Sequence, residues 1–272
     1  MTSNPFAEVI GDPIGHSLSP TIHSFWLDAL GMEASYGRRQ VTRAELPAYL
    51  SERQADEGWR GSNVTMPLKL DAVALADEAT DRAVAAGAAN VLMRREGRLI
   101  AANTDVGAIA MLLSRLYESK ARMGSVTLLG NGGAARAALV ALKLVGISAV
   151  RILARDLGEA VKLAVEFGLE VQPAPFTAPI ESDGLINATP LGMPGQDCLN
   201  CDLHRMPASG WVFDMVTDRD ETPLIKIARD QGLKTVDGID MLVEQAATSF
   251  KLFFDAEAPR DRDAQLWQQL KR

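Results

Sequence analysis

Cysteine and histidine are scarce: two of the first and three of the second among 272 residues. Cys198 and Cys201 form a CxxC pair followed by His204 in a Pro/Gly/Asn-rich stretch. A structural zinc needs a fourth ligand, and a redox CxxC ordinarily sits just ahead of a helix, so the pair reads as incidental. His16, His23 and His204 lack carboxylate or cysteine partners at ligand spacing, so no metal centre is expected. There is no basic block, and a net charge of −7 disfavours nucleic acid, whose binding needs clustered Lys and Arg against phosphates. No apolar run approaches 18 residues, and the opening MTSNPFAEVI lacks the charged and apolar regions of a secretory signal. A cytoplasmic protein without a membrane partner is expected. Low-complexity tracts and internal repeats are absent too, which excludes disorder and solenoids.

What remains is ordinary globular composition, 47% hydrophobic and 23% charged, in a chain long enough for two modest cores. Strand EVIG (8–11) is followed by the loop DPIGHSLS and a helix from Pro20, with Ser19 as a possible cap and Ile22, Phe25, Trp26, Ala29 and Leu30 on its apolar face before Gly31. A strand at 36–41, a helix at 44–55 and a strand ending at 63–65 complete a β-α-β-α-β series. Pro67 opens a further helical stretch, and NVLMRR and RLIAAN, separated by Glu96 and Gly97, read as a hairpin.

A second α/β series begins near residue 105 with the helix DVGAIAMLLSRLYES and continues through SVTLLG, an Ala-rich helix, AVRILA, GEAVKLAVEF, GLINAT, WVFDMV, TPLIKIARDQ and KTVD. Such alternation predicts a parallel sheet covered on both faces. Helices are predicted over 239–254 and from 261 onward, packing back on the first domain. The expected division is 1–104, 105–238 and 239–272.

Gly130, Gly132 and Ala135 match G-x-G-x-x-G/A between a predicted strand and helix, with Asn131, Gly133 and Ala134 completing the loop. The first glycine allows the turn, the second lets backbone approach a pyrophosphate, and the small third residue lets helix and strand pack closely. The helix N-terminus offers unpaired N–H groups to the anion. About 20 residues on, NAD sites place an acid and NADP sites an arginine. Here Ala154 stands at the strand tip and Arg155 follows, which favours NADP; Asp156 either reaches a ribose or caps the next helix. Ser17 and Ser19 precede a helix N-terminus, where hydroxyls and amides suit the carboxylate of a small polyhydroxy acid, although Ser19 alone also fits a helix cap.

GDPIGHSLSPTIH, SNVTMPLK, GAAN, NTDVG, GNGGAARAA, INATPLGM, DM…TPL and DGIDMLVEQA run in the order and spacing of the shikimate dehydrogenase family, which the chain resembles over nearly its whole length. The resemblance implies an N-terminal α/β substrate-binding domain, a Rossmann-like NADP-binding domain, and reversible hydride transfer from NADPH to 3-dehydroshikimate, giving shikimate on the route to aromatic amino acids. It implies that Ser17 and Ser19 hold the substrate carboxylate, that Asn63, Thr65, Asn90 and Gln245 hydrogen-bond its hydroxyls and ring positions, and that Lys69 and Asp105 form the catalytic pair. The residue types suit the chemistry, because an ammonium stabilises developing alkoxide charge and supplies a proton, a step typically worth ~10² to 10⁴-fold. Thr189, Met193, Met215, Val216, Gly238 and Met241 are implied at the nicotinamide end, where the bland alternative for each Met is ordinary core. Substrate motifs in one domain and cofactor motifs in the other imply closure during the reaction. A monomer and a homodimer both remain open.

Three motifs depart from the family pattern. Thr217 and Arg219 stand where D-x-x-Y-x-P has Tyr and Pro, Ala154-Arg155-Asp156 replaces N-R-T, and Val91 follows the Asn of GAxNT. Thr217 keeps a hydroxyl at the substrate-contacting position but is shorter, and a lost direct bond costs about 1 kcal/mol. The rival readings are a dehydrogenase acting on quinate or a related ring acid, and a non-catalytic NADP sensor.

Overall fold

The computed structural model describes residues 4–168, 170–193, 195–199 and 201–271. Contacts divide the chain into two units, Met1–Thr104 with Val243–Arg272, and Asp105–Leu242.

The first unit runs β1 (Phe6–Gly11), α1 (Ser19–Leu30), β2 (Ser35–Gln40), α2 (Leu46–Gln54), β3 (Trp59–Val64), α3 (Lys69–Leu75), β4 (Glu78–Ala79), α4 (Asp81–Ala86), β5 (Val91–Arg95) and β6 (Arg98–Ala102). Its sheet has the order β2-β1-β3-β5-β6-β4. β1 is parallel to both neighbours, whereas β5 is antiparallel to β3 and β6. The β5–β6 hairpin turns on Glu96 (φ 51°) and Gly97 (φ 78°), and positive φ at both central residues matches the twist of the strands.

Three local expectations shift. Leu18, not Ser19, occupies the cap position of α1 and makes no capping bond; Ser19 is the first helical residue, and its N–H meets Ser17 Oγ at 3.3 Å. The buried face of α1 includes Leu27, while Leu30 is exposed beside the left-handed Gly31. After β3, Leu68 N–H closes a turn on Thr65 O, so α3 begins at Lys69 rather than at Pro67.

One face of the first sheet packs Trp59, Leu46, Tyr49, Leu50, Leu68 and Leu92 into a core. An aromatic layer of His23, Trp26, Tyr36, Phe250 and Phe253 joins α1 to the later turns of a long helix, Gly238–Phe254, whose residues from Val243 onward belong to this unit. Gly61 permits that approach, since a Cβ there would stand 2.4 Å from the Phe253 ring and 2.7 Å from Leu92 O.

The second unit comprises α5 (Asp105–Glu118), β7 (Ser125–Leu129), α6 (Gly133–Leu144), β8 (Ala149–Leu153), α7 (Leu157–Phe167), β9 (Glu170–Ala174), β10 (Gly184–Asn187), β11 (Trp211–Asp214), α8 (Pro223–Asp230) and β12 (Lys234–Val236). All five strand pairings are parallel, in the order β12-β11-β10-β7-β8-β9. Counted from β7, this is the 3-2-1-4-5-6 arrangement, with its switch point between β7 and β10, where doubly wound sheets hold ligands. β9 has no counterpart in the sequence reading: it contains Pro173 and lies at the sheet edge, where proline's missing donor is tolerated. The chain continues through the Gly238–Phe254 helix (α9), a 3-10 turn (Arg260–Arg262) and α10 (Asp263–Leu270).

Candidate functional site

In the first unit, Asn63 on β3 and Asn90 just ahead of β5 meet α9 through a buried hydrogen-bond network. Asn63 Oδ1 accepts from Tyr36 Oη at 2.7 Å, and its Nδ2 donates to Asn90 O at 3.2 Å and Ser249 Oγ at 2.9 Å. Asn90 Oδ1 accepts the Thr104 N–H at 2.7 Å, while its Nδ2 donates to Thr104 Oγ1 at 2.8 Å and Gln245 Oε1 at 3.2 Å. These five residues and Ser249 are each less than 7% exposed. Because a carbonyl oxygen only accepts, Asn90 O fixes which way the Asn63 amide faces, and Gln245 Oε1 is turned toward Asn90.

Two loops stand beside this network. Gly11 ends β1, and a Cβ there would lie 2.4 Å from Thr65 Cγ2 and 2.7 Å from Met66 O, so only glycine lets the loops after β1 and β3 touch. Asp12 N–H donates to Met66 O at 3.0 Å. The first loop carries half-buried Ser17 and leads into buried Ser19, whose side chain hydrogen-bonds the Tyr36 phenol; the second carries Thr65 and leads into Lys69, both half-buried. Thr65 N–H is anchored on Ile10 O at 2.9 Å, and Lys69 O accepts Ala89 N–H at 2.8 Å. Ser17, Ser19, Thr65, Asn63, Asn90 and Gln245 thus share one region of the first unit.

Asp105 follows Thr104 directly and opens α5, where an acid complements the helix dipole; it is 3% exposed. In the same unit the glycine loop lies between β7 and α6. Gly130 adopts φ +101° and packs so closely that a Cβ would stand 3.0 Å from Thr189 Cγ2 and 3.1 Å from Ala188 O. Gly132, by contrast, faces open space, with no atom within 4 Å of a Cβ position. Ala135 is fully buried, which brings α6 close to the sheet. Asn131, Gly133 and Ala134 complete the turn into the helix, whose first amides lie beyond the reach of its own carbonyls. Ala154 is buried at the end of β8 and Arg155 is exposed just beyond it. Asp156 caps α7, its Oδ1 accepting Glu159 N–H at 3.1 Å.

A second buried cluster organises the ends of β10 and β11. Asp214 accepts from Asn187 Nδ2 at 2.9 Å, Thr222 Oγ1 at 2.6 Å and the Val216 N–H at 3.1 Å. Burial pushes its carboxyl upward from the usual range, and those donors oppose the shift. Asn187 Oδ1 in turn accepts both the N–H and the hydroxyl of Thr189. Gly238 starts α9 against the 215–216 backbone, since a Cβ would lie 2.1 Å from Val216 O. Thr217 Oγ1 reaches Gly238 O at 3.4 Å. Val216 and Met241 are buried, while Met193 and Met215 are half-buried.

Sequence reasoning missed Tyr36, Thr104, Ser249, Asn187 and Asp214, which hold the named residues in place. Thr104, Asn187 and Asp214 lie inside recognisable motifs, but nothing local marks Tyr36 or Ser249, whose partners are 27 and 186 residues away. Cys198 and Cys201 are free thiols; partial burial and the Asp214 charge push Cys201 up to about 11, which makes it a poor nucleophile. Among the described residues there is no cluster of three metal-ligating side chains, and no helix is long and apolar enough to cross a membrane.

Comparison with known proteins gives concordant matches. Residues 9–92 match the family model for the shikimate dehydrogenase substrate binding domain, and residues 238–265 that for the shikimate 5'-dehydrogenase C-terminal domain. The NADP(+) shikimate dehydrogenase of Sphingopyxis alaskensis is 46% identical over 266 residues, covering 97% of this chain and 96% of that protein. The corresponding protein of Rhodospirillum rubrum is 40% identical over 269 residues, covering 95% and 94%. The crystal structure of shikimate 5-dehydrogenase from Thermus thermophilus, in complex with NADP(H) and shikimate, superposes with a TM-score of 0.85 at 32% identity, covering 98% of this chain and 99% of that one. With this identity along almost its entire length, the chain belongs to the shikimate dehydrogenase family.

Proposed function

We infer that this chain catalyses the reversible, NADP-dependent interconversion of 3-dehydroshikimate and shikimate. The observation that carries the reading is 46% identity along 97% of the chain to an NADP(+) shikimate dehydrogenase, joined to a buried polar network containing the family's substrate motifs. Close-set hydroxyls and amides suit a ring acid with several hydroxyls, because each polar group taken from water needs a partner.

The second unit fits a dinucleotide. The open face of Gly132, the N-terminus of α6 and the exposed Arg155 are the backbone approach, anion site and phosphate fork that NADP requires. NADPH, when bound, supplies the hydride. Thr189, Met193, Met215, Val216, Gly238 and Met241 form its nicotinamide surroundings, braced by Asp214, and their apolar surface keeps water from the transfer.

Ser17 and Ser19 receive the substrate carboxylate, and Thr65, Asn90 and Gln245 its hydroxyls. Asn63, whose Nδ2 donates to Asn90 O and Ser249 Oγ, also orients Asn90 and α9. Lys69 places its ammonium at the carbonyl oxygen, stabilises the developing negative charge and delivers the proton to that atom. Asp105 accepts from a substrate hydroxyl.

The test is the initial rate at 340 nm with shikimate or quinate against NADP⁺ or NAD⁺. Turnover of shikimate with NADP⁺ at a kcat/KM at least tenfold above that of every other pairing supports the reading. A preference for quinate, or no turnover by folded protein that binds NADPH, contradicts it.

A further inference from the structure

Ser249 lies one helical turn beyond Gln245 on α9 and is fully buried. Its hydroxyl proton is committed to the carbonyl of Gln245 at 3.1 Å, because that oxygen can only accept. Its oxygen is therefore an acceptor toward everything else it touches: Asn63 Nδ2 at 2.9 Å and the Thr104 hydroxyl at 3.2 Å.

Thr104 is constrained in the same way. Its oxygen takes a hydrogen from Asn90 Nδ2 at 2.8 Å, so its single proton has two acceptors to choose between, Ser249 Oγ at 3.2 Å and Gln245 Oε1 at 3.4 Å. The nearer one is Ser249. Gln245 Oε1 is then held by Asn90 at 3.2 Å without a second pull from Thr104. Removing the Ser249 hydroxyl leaves the Thr104 proton only Gln245 Oε1 to bond, which draws the glutamine amide inward, and it leaves one Asn63 amide hydrogen without its acceptor.

We propose that Ser249 is a positioning residue for the substrate end of the site, setting the Thr104 hydroxyl and through it the orientation of the Gln245 amide. The proposal rests on the reading that Asn90 and Gln245 bind a hydroxylated ring acid. It predicts an effect on acid affinity and little on hydride transfer, since Ser249 is fully buried and its hydroxyl is engaged by Asn63, Thr104 and Gln245.

The test is Ser249→Ala, a substitution that favours the helix, with exposed Thr248→Ala as the neighbouring control. Shikimate affinity is measured by calorimetry and by KM at saturating NADP⁺. The expected result is a KM and Kd for shikimate raised about 3- to 10-fold, the size of one misplaced hydrogen bond. The kcat should stay within about twofold and the KM for NADP⁺ should not change. In a Thr104→Val background the same substitution should add less than about twofold, because coupling through a shared partner is non-additive. Unchanged shikimate affinity in folded Ser249→Ala, or full additivity with Thr104→Val, overturns the proposal. Wild-type protein that fails to bind shikimate at all refutes the underlying assignment as well, and is told apart by that control.

Discussion

Asn90 and Thr104 hold each other twice: Asn90 Oδ1 accepts the Thr104 N–H at 2.7 Å, and Asn90 Nδ2 donates to Thr104 Oγ1 at 2.8 Å. This reciprocal pair joins the residue just ahead of β5 to the residue preceding Asp105, so it fixes the orientation of the Asn90 amide. Thr104→Val preserves the shape but leaves one Asn90 hydrogen without its acceptor, a cost of about 1–3 kcal/mol in stability. The shikimate KM should rise by about tenfold, read from steady-state rates alongside urea unfolding.

Arg155 carries the cofactor prediction. It is the exposed cation just beyond β8, and Asp156 beside it caps α7 through Oδ1. Arg155→Ala should raise the KM for NADP⁺ by about tenfold or more while leaving that for NAD⁺ within about twofold, because only the former has the 2′-phosphate to lose a charge-assisted bond.

Gly130 offers a prediction of the opposite kind, where adding atoms does harm. With φ at +101° and Thr189 Cγ2 3.0 Å from a Cβ position, Gly130→Ala combines backbone strain with crowding at the end of β10. Stability should fall by about 1–3 kcal/mol and NADPH affinity should drop with it, measured by thermal unfolding and cofactor fluorescence.

His23 sets a pH dependence. It is fully buried, stacked on Tyr36 at 3.9 Å between ring centroids, and burial lowers its pKa from 6.5 to about 3. The unfolded chain binds a proton there below pH 6.5 whereas the folded one does not until about pH 3. Its destabilising effect is therefore absent above pH 6.5 and grows as pH falls through that window. Between about pH 7.5 and pH 5 the wild type should lose about 2 kcal/mol more than His23→Phe, measured by urea unfolding of both proteins.

Much of this is legible in the sequence because its signals are local. The glycine loop, the β5–β6 turn at Glu96 and Gly97, and the ordered motifs each sit within a few residues of the structure they specify. Ser19 misleads because Ser before Pro looks like a cap, while the chain turns one residue earlier and lets Ser17 take the amide. β9 escapes because proline in a short run argues against a strand unless the strand is known to be at an edge. Tyr36 and Ser249 are beyond reach for another reason: their significance arises from partners brought together only when β2, β3 and α9 assemble.

Lys69, proposed to deliver the proton during NADP-linked oxidoreduction of shikimate, can be tested by a single substitution. The most direct measurement is the 340 nm rate of Lys69→Ala beside the wild type, at saturating shikimate and NADP⁺, with shikimate binding followed separately by calorimetry. The expected result is a kcat lowered by about 10²-fold or more with shikimate still bound within about tenfold of wild-type affinity. A folded Lys69→Ala protein that turns over at a rate near that of the wild type would contradict it.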